Sequence, residues 1–127
     1  MLFAPTPAER RARARADLRL GLPVAVVSGG AAALAVSAET LTARRLAELR
    51  EAGTPVLAVS ARRAATLKAR AYDGDLARIE LPDGADLMWV RAVADPSADL
   101  ATPLKGPFTT RRDEGADLHR AALVLAK

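Results

Sequence analysis

The sequence predicts a mixed α/β domain in which a small mixed sheet packs against helices. Three observations predict it. Short apolar runs at 23–28, 31–37 and 55–60 alternate with helix-patterned segments that open on cap residues. The chain has 127 residues, the size of one domain, and such a domain can bury about two thirds of its unfolded surface. Its hydrophobic fraction of 50% and charged fraction of 27% are those of an ordinary globular chain, which argues against disorder.

The elements follow in order. Thr6-Pro7-Ala8-Glu9 is a helix start: Thr6 caps, Pro7 suits the first helical position and Glu9 completes a capping box. The helix should run to about Leu20 and stop at Gly21. Pro23 to Ser28 reads as a buried strand, Gly29-Gly30 as a tight hairpin turn and Ala31 to Ser37 as the returning strand. Thr40 or Thr42 caps a second helix that ends at Gly53, with Leu46 and Leu49 on one face and Arg44 able to pair with Glu48. Pro55 to Ser60 is a third strand, and Ser60 caps a short helix reaching about Lys68. Tyr72-Asp73-Gly74-Asp75 is a loop, and its two aspartates are spaced to touch one cation. Ala77, Ile79 and Leu81 alternate with Arg78 and Glu80, the pattern of a half-buried strand. Pro82-Asp83-Gly84 is a turn, with Asp83 a candidate cap for an apolar helix over 87–94 that Asp95-Pro96 breaks. Residues 97–112 should form an ordered loop with one short strand. Leu118, Ala121, Ala122 and Leu125 have helical spacing, and this last segment is apolar on every face, so it should seek burial all round. With no glycine cap before Lys127, the chain is expected to be the amino-terminal piece of a longer protein.

Charge is concentrated. The formal net charge is +4. Between Glu9 and Arg19, five arginines (Arg10, Arg11, Arg13, Arg15, Arg19) stand against Glu9 and Asp17, a net +3 that leaves +1 for the rest. Arg10, Arg11, Arg13 and Arg15 are therefore the phosphate-binding candidates, for GTP, another phosphate ligand or RNA. The bland alternative is a solvated arginine face. Aromatic residues make up 3% of the chain, too few to stack bases, which argues against nucleic acid as a partner.

The chemistry-bearing residues exclude more than they offer. The chain contains no cysteine, so it holds no disulfide, thiol nucleophile or cysteine-ligated zinc of its own. Its one histidine, His119, rules out a histidine cluster. No phosphate-cradling glycine fingerprint is present. No apolar run approaches the ~18 residues of a membrane span, and the opening residues lack the charged-then-apolar order of a signal peptide. No membrane partner and a cytoplasmic location are the expectations.

The run Asp17 to Val27, followed by Ala35-Val36-Ser37-Ala38-Glu39-Thr40-Leu41-Thr42, resembles the opening of the dihydroxybutanone phosphate synthase family of riboflavin biosynthesis. Arg91-Ala92-Val93-Ala94-Asp95-Pro96 and Leu118-His119-Arg120-Ala121-Ala122 fall where that family has its later conserved segments. The stretch from Thr66 to Ala77 and the segment Pro103-Leu104-Lys105-Gly106-Pro107-Phe108 look closer to bacterial GTP cyclohydrolase II-like proteins. In these, a reduced synthase-like domain precedes a zinc-dependent cyclohydrolase domain. The resemblance implies a reduced synthase-like fold, with Glu39, Arg91 and His119 as a remnant site. It also implies a homodimer and a carboxy-terminal cyclohydrolase domain as partners. The chain departs from the synthase pattern where chemistry is concerned. The acid-rich loop that serves magnesium is here Ser28-Gly29-Gly30-Ala31, the histidine of a further loop is missing, and Ala121 stands where a glutamate follows the histidine. The expected function is a non-catalytic domain that supports folding, dimerisation or positioning, with no cofactor in this chain and zinc, with or without magnesium, in the parent. The rival is a residual synthase.

Overall fold

A computed structural model describes residues 2–101, 106–113 and 115–127. Within them the architecture is mixed α+β: five α-helices pack on two small antiparallel two-stranded sheets, where the sequence suggested one sheet.

Helix α1 (Pro7–Arg19) begins at the foreseen capping box: Thr6 Oγ1 accepts from the Glu9 amide, and the Glu9 carboxylate accepts from the Thr6 amide. These bonds hold the Glu9 carboxyl below the usual carboxylate range, with the backbone bond from Thr6 the largest cause. Strands β1 (Val24–Ser28) and β2 (Ala31–Ala35) pair across Gly29-Gly30, whose φ of 56° and 83° is the left-handed geometry that this turn requires. Thr42 caps α2 (Ala43–Ala52) by accepting from the Arg45 amide, whereas the Thr40 hydroxyl donates to the Leu18 carbonyl and ties the turn before α2 to the end of α1. Arg44 and Glu48 pair at 3.7 Å as their spacing allows.

Strand β3 (Val56–Ser60) leads into α3 (Ala61–Leu67), capped by Ser60. β3 pairs with β4 (Leu76–Glu80) in a register that sets Leu57 opposite Ile79 and Val59 opposite Ala77. These residues form one core cluster with Ala64 and Val93, while Leu41, Leu46 and Val90 form a second. Helix α4 (Leu87–Ala94) is capped by Asp86, not Asp83, because the Pro82–Ala85 turn delivers Asp86 to the Trp89 amide. A single 3₁₀ turn, Pro96–Ala98, follows. α5 (Asp117–Ala126) packs against α1, β1, β2 and β3, and so joins the two sheets.

Three burial expectations are corrected. β1 is not a buried strand: only Val26 in it is buried, and Val27 is 71% exposed. β4 is not half-buried: Leu76 to Ile79 are all buried, because α3 and the core lie on it and the backbone of Thr109–Arg111 lies along its edge. That segment supplies the short strand-like contact expected within 97–112, an antiparallel bridge between Ile79 and Thr110. α5 is not buried all round: none of its residues is fully buried, and Val124 is 51% exposed. Of the segments carrying the family resemblance, Pro103, Leu104 and Lys105 lie outside the described residues. No helix among the described residues is long and apolar enough to cross a membrane.

Candidate functional site

The charged side chains of the body are used as struts. Arg78 is the largest fully buried side chain, 2% exposed, where alternation placed it in solvent. Its Nε and Nη2 donate to the Asp73 carboxylate at 2.9 and 3.1 Å. The same guanidinium donates to the Asp113 carbonyl and lies 3.2 Å from the Asp113 carboxylate. A planar fork with five donors suits such a convergence, and a buried guanidinium is tolerable only with acceptors of this kind. Arg63, also buried, donates to the Val93 and Ala92 carbonyls at 2.9 and 3.3 Å and grips Asp99 bidentately at 2.7 and 2.8 Å. It thereby fixes the end of α4 against α3. Arg120 on α5 grips Asp75 at 2.6 and 2.9 Å and Asp117 at 2.7 Å. The Arg120 bond holds the Asp75 carboxyl below its ordinary value and raises the guanidinium's own. Asp73 and Asp75 are thus arginine partners, not a shared cation site.

The remnant residues are placed in two regions. Glu39 is exposed in the turn before α2, and Arg91 donates to the Leu41 carbonyl at 3.2 Å, two residues away along the chain. His119 lies on α5, partly buried, and its charged neighbours are Arg78, Arg111 and Asp73. Its Nδ1 is buried without a hydrogen-bond partner among the described residues. Burial, foremost, with Arg78 and Arg111 in support, holds the imidazole below its ordinary pKa of 6.5, while the Gly115 backbone and Asp73 act in the opposite sense. The neutral ring is therefore the favoured form.

Magnesium asks for several oxygen donors. The hairpin turn offers one hydroxyl, that of Ser28, and among the described residues no three histidines, aspartates or glutamates gather. The donor chemistry at the hairpin does not suit a hard cation. An open groove of about 420 Å³ runs between α2 and the start of α4, and two of its three charged residues, Arg50 and Asp86, are engaged by the fold. Arg50 donates to the Pro82 and Ala85 carbonyls, and Asp86 caps α4.

The arginines of α1 contrast with the rest. Outside α1, nine of eleven arginines have an ion pair, a carbonyl or a ring as partner among the described residues. Arg10, Arg11, Arg13, Arg15 and Arg19 have no such partner among the described residues and are all exposed. Sequence reasoning flagged these five, but it missed Arg63 and Arg78, whose burial depends on carboxylates brought by distant segments.

No family model, curated protein or solved structure matches the chain.

Proposed function

We propose that this chain is a non-catalytic scaffold domain of a GTP cyclohydrolase II-like protein of riboflavin biosynthesis, acting in the cytoplasm. Its role is to support the folding, dimerisation or positioning of a carboxy-terminal cyclohydrolase domain, which would carry the zinc and the ring-opening chemistry. One observation carries the reading: the acidic residues of the central loops serve arginines that brace the fold. Asp73 and Asp113 serve Arg78, Asp99 serves Arg63 and Asp75 serves Arg120. A carboxylate held by a guanidinium has the lone pairs that face the arginine committed to it. That environment is the opposite of what a general acid or a metal ligand needs.

The test compares the parent protein with and without residues 1–127. The expected result is loss of dimer or of soluble protein, with GTP turnover per remaining folded active site unchanged. Turnover that falls after Glu39→Gln or His119→Gln, with assembly intact, would overturn the reading.

A further inference from the structure

The five unpartnered arginines of α1 define a surface, and its geometry specifies a partner. On a helix that advances 3.6 residues per turn, Arg11, Arg15 and Arg19 form one row about 12 Å long, and Arg10 and Arg13 form a second row about 170° around the axis. Residues 7–13 are exposed on every side, so the first half of α1 stands clear of the body. Asp17 falls in the second row, four residues after Arg13, but no arginine of either row is ion-paired among the described residues, and Glu9 is occupied by the cap at Thr6. Like charges four residues apart repel. Arg10 and Arg11 also sit near the end of the helix where the macrodipole disfavours cations. An arrangement that costs stability in the free chain is relieved by a polyanion that runs along both sides of the helix.

We propose that α1 docks in the major groove of double-stranded DNA and contacts the phosphate backbone without reading sequence. A helix with its side chains is about 10–12 Å across, and the B-form major groove is about 12 Å wide with a phosphate row on each side. Two arginine rows on opposite sides match two phosphate rows. The narrow major groove of duplex RNA does not admit a helix. Single strands are disfavoured because no residue of α1 is aromatic, so no base can stack on it. A membrane surface is disfavoured because the one large apolar side chain of α1, Leu18, is buried against the body, which leaves no exposed apolar face to insert. The proposal does not depend on the scaffold reading.

The test titrates the full chain with a fluorescent 20-base-pair duplex at 50 and 200 mM salt, beside the matching single strand and anionic phospholipid vesicles. Five phosphate contacts predict a log–log salt slope of about −4.5, an affinity loss of about 500-fold between the two salts. Arg10→Gln with Arg13→Gln should flatten the slope by about 1.8, and Arg11→Gln, Arg15→Gln and Arg19→Gln together by about 2.7. Lysine at the same five positions should preserve it, and circular dichroism checks that α1 remains helical. Duplex binding that is absent, indifferent to salt or dependent on one row alone overturns the proposal. Tighter binding to the single strand or to vesicles does the same.

Discussion

Removing Asp73 should harm the fold more than removing Asp73 and Arg78 together would suggest. Arg78 is 2% exposed and Asp73 11%, so neither charge can recover full hydration when its partner is lost. Asp73→Ala leaves the guanidinium with the Asp113 carbonyl and a carboxylate that is itself 71% exposed. Breaking a buried pair from one side costs about 3–5 kcal/mol, and the surviving Asp113 contacts place this case near the lower end, at about 3 kcal/mol. Arg78→Met strands a carboxylate that water reaches more easily, at a cost of about 2 kcal/mol. The double variant strands neither charge and loses mainly packing, about 2 kcal/mol. The three values imply a coupling of about 3 kcal/mol, at the upper end for residues in direct contact. Urea unfolding followed by circular dichroism measures all four proteins, provided the slope with denaturant is constant across the cycle. If Asp73→Ala does not fold, Asp73→Asn keeps one acceptor and gives a smaller cycle of the same sign. Single effects that add to within about 0.5 kcal/mol would refute the argument that Arg78 is held by its partners.

Arg63→Met should destabilise the chain by about 3 kcal/mol, because Asp99 and the α4 carbonyls lose a common donor. Amide exchange should rise first at 95–99, and protection unchanged there would contradict the bracing role. Lowering pH should weaken the fold through His119. Its folded pKa lies below the ordinary value of 6.5, so the unfolded chain takes up the proton first as pH falls. The stability present above about 6.5 is therefore lost progressively down to the folded pKa. The urea midpoint of this chain minus that of His119→Phe, followed from pH 8 to 5, should decrease as pH falls, and a difference constant with pH rejects the assignment.

Much of the fold was legible because its signals are local. Thr6 and Glu9 are three residues apart, Gly29-Gly30 is a turn in itself, and the apolar stretch before Asp95-Pro96 has helical length. Asp83 and Asp86 could not be ranked as caps from spacing, because the choice rests on where the Pro82–Ala85 turn aims the chain. Arg78 was illegible for a stronger reason. Alternation assigns a charged residue to solvent, yet its partners are Asp73, five residues away, and Asp113, thirty-five away. Charge pairing across such a distance leaves no periodic trace. The same holds for Arg63 and Asp99, thirty-six residues apart. The α1 arginines were visible as a cluster, but their lack of partners among the described residues emerges only once the other elements are in place.

Under the proposed scaffold role, this chain's charges brace the fold and perform no sugar-phosphate chemistry. Incubating the folded chain with ribulose phosphate and magnesium, and measuring formate, tests it most directly. Formate is expected at the level of the protein-free control. Sustained release above that level, lost in His119→Gln while the variant remains folded, would contradict it.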